Sequence, residues 1–102
     1  MDKIKVNEVI DFAENNYYCY RHLVTDYLGN LQKKKISGKY DRNLAVKLLE
    51  YFYSNYVRPE FKKRTEMGYD PKLNPEERKM FATHFRNYLE KEFLNKIKPK
   101  RK

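Results

Sequence analysis

The alternation of apolar and polar residues along the chain predicts three long helices. In the first, over residues 3–35, apolar positions recur at alternating spacings of four and three for about four heptads, as on one face of a helix. These positions are Val6, Ile10, Ala13, Tyr17, Tyr20, Val24, Tyr27 and Leu31. The same period is typical of a seam between two chains. A monomer, with the face packed inside one chain, and a homodimer therefore both remain open.

The second helix, over residues 41–57, is predicted to be the central element. Its apolar residues cover roughly two-thirds of the circumference, which requires neighbours on several sides. Asp41 is placed to cap its first turn, after a bend at Gly38. Pro59 disfavours a continuous helix, so we expect a kink or a restart there, followed by a short helix that ends near Gly68.

The third helix is predicted over residues 74–97. Asn74 is a suitable N-cap, Pro75 suits the first helical position, and Glu77 completes a capping box. Its apolar face consists of Phe81, Ala82, Phe85, Leu89 and Phe93. The expected fold is an all-α, antiparallel three-helix bundle, in which a break at Pro59 would create a fourth, short helix. We expect one domain over 1–97 and a basic tail over 98–102.

The composition indicates a folded domain with a small core. The chain has 102 residues, of which 36% are charged and 16% are aromatic, with ten tyrosines and no tryptophan. Disordered chains are poor in aromatic residues. The single cysteine excludes an internal disulfide, and no apolar run resembles a signal peptide or a membrane span. We therefore expect a cytoplasmic protein without a membrane partner.

The net charge of +9 is concentrated in two segments. Residues 33–64 have ten basic and three acidic groups, and residues 96–102 have five basic groups and no acid. In an antiparallel bundle the end of helix one, the start of helix two and the end of helix three meet. This predicts one nucleic-acid-binding pole formed by Lys33, Lys34, Lys35, Lys39, Arg42, Lys96, Lys98, Lys100, Arg101 and Lys102. The alternative is that these lysines only offset helix dipoles and maintain solubility.

Two further features bear on nucleic-acid binding. A second basic run, Arg58 with residues 62–64, is expected at the opposite end of the bundle near Glu76 and Glu77, where local salt bridges would explain it. Tyrosines beside cations are able to stack unpaired bases. Most tyrosines fall on predicted core faces, which leaves Tyr18, Tyr40 and Tyr69 as candidates.

The sequence offers little for catalysis or metal binding. Cys19 and His22 are spaced as neighbours on a helix, and both are expected on its exposed side. A zinc site needs four ligands, and a catalytic Cys–His pair needs a third group that orients the histidine. No glycine-rich phosphate loop or nucleophile elbow is present. We therefore predict no enzymatic activity, no metal and no cofactor.

The middle and end of the chain resemble small proteins of bacteriophages and mobile elements. The resemblance covers roughly residues 37–93 and rests on Gly38-Lys39-Tyr40-Asp41, Leu44-Ala45, Lys47, Tyr56, Phe61, Arg78 and Ala82. It implies a phage-type accessory protein in the host cytoplasm, such as a nucleic-acid binder or an inhibitor of host defence.

Two hypotheses of function follow. The first is a non-enzymatic protein that binds nucleic acid, or a nucleoprotein complex, through the lysine-rich pole. The second is a protein-binding inhibitor of a host defence nuclease (anti-CRISPR-like), or another host-takeover factor, whose interface includes Tyr18 and Tyr69. Phosphate-driven binding falls steeply with salt, whereas a packed protein interface is less sensitive.

Overall fold

A computed structural model describes residues 2–64 and 72–96, with the first side chains described at Val6. In this part of the chain all regular structure is helical, which confirms the predicted all-α bundle. The α-helices are α1 (Asp2–Asn15), α2 (Tyr17–His22), α3 (Gly29–Ile36), α4 (Arg42–Phe52), α5 (Arg58–Arg64) and α6 (Pro75–Glu92). The regular structure of the described residues also includes two π-helical segments, π1 (Leu23–Leu28) and π2 (Tyr53–Val57), and a 3-10 helix (Leu94–Lys96).

The first predicted helix is interrupted at Asn16, so the expectation of one continuous helix over 3–35 is wrong. Asn16 has an extended backbone (φ −91°, ψ 120°), and its side-chain oxygen accepts a hydrogen bond from the Cys19 amide at 3.0 Å. Asparagine is among the best residues for capping a helix in this way. The chain therefore restarts as α2, and π1 then adds a wider turn before α3.

These two irregularities change which side chains enter the core. Tyr17, predicted on the buried face, is 77% exposed, whereas Cys19 and Leu23 have no exposure. The next buried residue after Leu23 is Leu28, a step of five residues that spans π1. A regular heptad cannot produce that step, because an α-helix returns to the same face after three or four residues. The predicted stripe is therefore wrong at Tyr17, whereas Leu31 is buried as predicted and Tyr20, Val24 and Tyr27 pack partly buried against the core.

The central segment packs mainly through α4, whose principal neighbour is α6 and which also touches π1. The predicted N-cap is confirmed, since the Asp41 carboxylate accepts a hydrogen bond from the Asn43 amide at 3.0 Å. Gly38 makes the turn before it with φ +78°, a conformation that favours glycine. Five residues of α4 and π2 are fully or almost fully buried: Ala45, Leu49, Phe52, Tyr53 and Val57. Leu48, expected in the core, is only half-buried.

The predicted change of helix geometry before Pro59 is confirmed. The widened turn of π2 ends at Val57, and α5 begins at Arg58. Proline lacks the amide that would bond to the carbonyl four residues earlier, and its ring crowds that carbonyl. A π turn directly before Pro59 separates the two groups and lets the chain continue as α5.

The third helix begins as predicted and ends earlier. Asn74 Oδ1 accepts from the Glu77 amide at 2.8 Å, and Glu77 Oε1 accepts from the Asn74 amide at 2.9 Å, which is the complete capping box. The helix ends at Glu92 instead of Ile97, because Phe93 leaves helical geometry (φ −128°). The 3-10 helix that follows buries Leu94 to 1% exposure. Ile97 lies outside the described residues.

Replacing Asn74 by alanine is expected to lower the free energy of unfolding by about 1 kcal/mol, because the first-turn amides lose their acceptor. Urea denaturation followed by circular dichroism measures this change. Asn30, exposed within α3, is the matched control, and Asn30→Ala should not destabilise the protein. Equal midpoints for the Asn74 variant and the wild type would contradict the capping role.

Candidate anion-binding surface

Three distant parts of the chain meet at one end of the bundle, as the antiparallel arrangement predicts. Helix α3 packs against the 3-10 helix that follows α6. The start of the central segment is joined to the end of α6 through Glu90, whose Oε2 accepts from Tyr40 Oη at 2.6 Å and from Arg42 Nε at 3.1 Å. We call this end the basic pole, and its described cations are Lys33, Lys34, Lys35, Lys39, Arg42 and Lys96.

The lysines of the basic pole are accessible. Lys33, Lys39 and Lys96 are exposed, and Lys34 and Lys35 are half-buried. None of these five makes an ion pair with a carboxylate of the described residues. The remaining predicted members lie outside the described residues: Lys98, Lys100, Arg101 and Lys102. The structure thus brings together six of the ten predicted cations, and the lysines among them are available to an external anion.

Glu90 is the residue of this candidate site that the sequence analysis missed. Its carboxylate binds Arg42 and thereby reduces the availability of Arg42 to an external anion. Burial, with the hydrogen bond to Glu90, raises the pKa of Tyr40 well above its ordinary value. Tyr40 is therefore a fixed, half-buried donor and not a free stacking surface. An acid near the end of a helix predicted to end at this pole was the available signal.

Two of the four cations of the second basic run are paired within their own helix, α5. Glu60 is 7% exposed, and its carboxylate lies 2.8 Å from Arg64 Nε and 3.9 Å from Lys63 Nζ. Local salt bridging was predicted, although with Glu76 and Glu77 as the acids. Glu77 instead belongs to the capping box of α6. The buried Glu60 carboxylate therefore accounts for Lys63 and Arg64 without an external ligand.

Cys19 is buried, so its expected position on the exposed side is wrong. Its Sγ lies 3.9 Å from the Tyr56 carbonyl oxygen. Burial, with a smaller effect from the charge of Glu60, raises the pKa of the thiol to about 12. The thiolate is the reactive form, and it is scarce at neutral pH under these conditions. The restart of the helix at Asn16 is the reason that Cys19 turns inward.

His22 has the orienting group that the sequence analysis did not identify. Its Nδ1 lies 2.7 Å from Asp26 Oδ2, and its ring stacks on Tyr56 at a centroid distance of 4.2 Å. The Tyr18 ring packs edge-on against it at 4.7 Å. The Cys19 thiol, however, is held at the Tyr56 carbonyl in the core. The cluster is therefore an aromatic surface patch around an oriented histidine.

Tyr18 is 43% exposed and stays accessible at the edge of this patch, as predicted from its place on the polar side. Tyr17 beside it is 77% exposed. Tyr69, the other predicted interface residue, lies outside the described residues.

Comparison of the chain with protein-family models, with curated proteins and with solved structures found no match. Within residues 2–64 and 72–96, no helix is long and apolar enough to cross a membrane. In the same residues, no three side chains of His, Cys, Asp or Glu are grouped as ligands of a metal ion.

Proposed function

We propose that the protein binds nucleic acid, alone or within a nucleoprotein complex, through contacts between phosphates and the basic pole, and that it acts without catalysis. The observation that supports this proposal is the packing of α3 against the 3-10 helix. This contact places Lys96 at the same end as Lys33, Lys34 and Lys35, although these residues are far apart in sequence.

The electrostatics of the pole favour an extended polyanion. Its lysines come from three chain segments. The carboxylate of Glu90 also lies at this end, where it forms an ion pair with Arg42. The lysine ammonium is a point charge on a flexible side chain. It attracts phosphates but does not form the paired hydrogen bonds by which a bidentate group recognises a base. Binding at this pole is therefore expected to be independent of sequence and strongly dependent on salt.

Reversing two exposed charges of the pole tests this proposal. Lys33→Glu combined with Lys96→Glu is expected to weaken binding to a generic oligonucleotide, because both chain segments contribute to one field. The slope of log affinity against log salt should fall by about 0.7–0.9 for each phosphate that the variant no longer neutralises. Fluorescence anisotropy over a series of salt concentrations measures both quantities.

Lys62→Glu combined with Lys63→Glu is the matched control, since it changes the net charge equally in α5, away from the pole. Equal losses of affinity in the two double variants would show that overall charge, and not a localised site, attracts the oligonucleotide. Failure of the wild type to bind at low salt would refute the proposed function.

One observation favours a protein partner as a second candidate function. Tyr17 and Tyr18 are exposed at the restart of the helix, beside the stacked His22 and Tyr56 rings. Exposed tyrosines are enriched at protein interfaces. A host defence nuclease as that partner is implied by the resemblance to phage proteins alone. Binding at this patch would be largely insensitive to salt and would be abolished by Tyr18→Ala.

A further inference from the structure

A polar groove runs between α4 and α6, next to the basic pole. Its volume is about 450 Å³. It is lined by Asn43, Val46, Lys47 and Glu50 of α4 and by Lys79, Thr83 and Arg86 of α6. Asn43 directly follows Arg42, and Arg86 lies one helical turn before Glu90. The groove is therefore continuous in sequence and in space with the pole.

Three cations face this groove without a carboxylate partner. Lys47 and Lys79 are exposed, and Arg86 is half-buried. None of the three forms an ion pair with a carboxylate of the described residues. Glu50 is the single acid among the lining residues, so the groove has an excess of positive charge.

Arg86 is the most informative of these cations. Its Nη2 donates to Asn87 Oδ1 at 3.1 Å, while its Nε is buried without an acceptor among the described residues. A guanidinium that is partly buried loses hydration, and without an anion beside it no ion pair offsets that loss. Phosphate oxygens match the geometry of the guanidinium N–H donors and would supply the missing ion pair.

Arg86 lies at the end of the groove that faces the pole. The charges of Arg86 and Arg42 both act to lower the pKa of Tyr40, against the larger upward effects of burial and of Glu90. Arg86 therefore lies close to the pole. At the other end, a second hollow is lined by the acids Glu50 and Glu76 together with the cations Arg78 and Lys79. A phosphate chain that enters from the pole would therefore meet carboxylates only toward that end.

An exposed aromatic residue, Tyr51, lies one helical turn beyond Lys47 and does not itself line the groove. Tyr51 is 60% exposed and follows Lys47 by one helical turn of α4, about 6 Å along the axis. Its ring contacts no other aromatic ring of the described residues. Aromatic side chains next to a cationic groove are typical of surfaces that bind single-stranded nucleic acid, where unpaired bases stack on the rings.

The stacking contact, and not the width of the groove, excludes a duplex. Packed helices have axes about 8–10 Å apart, so the groove between α4 and α6 has room for one phosphate backbone, which an unpaired strand or one strand of a duplex could supply. A base paired and stacked inside a duplex is not available to Tyr51, because it must first be taken out of the stack.

We infer that the nucleic acid bound by this protein is single-stranded, with phosphates along Lys47, Lys79 and Arg86 and a base stacked on Tyr51. This inference rests on the proposed function and specifies its ligand. The basic pole supplies general attraction, and the groove with Tyr51 discriminates between an unpaired strand and a duplex.

The test compares two probes with equal numbers of phosphates by fluorescence anisotropy: an unpaired oligothymidine, and a hairpin closed by a non-nucleotide linker so that all its bases are paired. Tyr51→Ala should weaken binding of oligothymidine roughly 5- to 150-fold, the effect of removing one stacked base, and leave hairpin binding unchanged. Tyr51→Phe should retain binding, because the ring is kept. Tyr17→Ala is the matched control, since it removes an exposed tyrosine of α2 that makes no ring contact with the described residues and does not line the groove.

Lys47→Gln combined with Lys79→Gln provides a second test that leaves the core untouched, because both side chains are exposed. It should weaken oligothymidine binding more than Lys62→Gln combined with Lys63→Gln. Equal losses of affinity for oligothymidine and hairpin would overturn the inference.

Unchanged binding in the Tyr51 and groove variants, with weaker binding in the Lys33/Lys96 variant, would also overturn the inference but leave the proposed function intact. No binding of either probe by the wild type would refute both.

Discussion

Replacing Phe52 by alanine is expected to lower the free energy of unfolding by about 3–5 kcal/mol. Phe52 has no exposure, and its ring meets Tyr27 of π1 at 5.2 Å and both Phe81 and Phe85 of α6 at 6.2 Å. All three helical segments therefore meet at this side chain. Rings anchored on three different segments cannot all move inward, so the substitution leaves a cavity in addition to the reduced burial.

The adjacent Tyr51 is the matched control, because it is a similar aromatic residue that is 60% exposed. Tyr51→Ala should change the free energy of unfolding by no more than about 0.5 kcal/mol. Leu48→Ala should cost less than Phe52→Ala, since Leu48 is only half-buried. Urea denaturation measures all three variants. A similar cost for Phe52→Ala and Tyr51→Ala would contradict the central position of α4.

Replacing Leu94 by alanine is expected to lower the free energy of unfolding by about 2–5 kcal/mol. Leu94 is 1% exposed in the 3-10 helix, which packs against α3. This packing holds Lys96 beside the lysines of α3. The variant should therefore also weaken oligonucleotide binding, although no charge has been removed.

Asn95→Ala is the control for this prediction, because Asn95 is exposed in the same 3-10 helix. Thermal unfolding measures the stability of both variants, and anisotropy measures binding at a temperature where both are folded. If Leu94→Ala were no more costly than Asn95→Ala, the 3-10 helix would not be part of the core. If Leu94→Ala were destabilised but bound normally, the packing would not organise the pole.

Local signals in the sequence determined where α4 and α6 begin. Asp41 caps α4, and the Asn74–Glu77 capping box starts α6, each through hydrogen bonds between residues two or three positions apart. The apolar period of α6 likewise predicted its buried face from Phe81 to Leu89. These features depend on near neighbours in the chain, so the sequence is sufficient to predict them.

The register of the first helical segment was decided by tertiary packing. Its apolar residues satisfy a continuous heptad, yet the chain breaks at Asn16 and widens in π1. This places Cys19 and Leu23 in the core and exposes Tyr17. A heptad pattern treats all apolar residues alike. Whether a residue is buried in a packed core also depends on the shape of its side chain and on whether its polar atoms find hydrogen-bond partners. A tyrosine hydroxyl needs a partner, as Tyr20 finds in Tyr88 at 3.1 Å.

For the candidate site too, some features follow from the sequence and others only from tertiary packing. The sequence determined that lysines cluster at helix ends and that three such ends meet. Tertiary structure decided that Arg42 pairs with Glu90, and that Lys47, Lys79 and Arg86 share one groove. The periodicity of a helix places its residues on one face or another, but the rotation of that helix against its neighbours decides which side chains meet. That rotation is set by the packing of Phe52, Phe81 and Phe85 in the core.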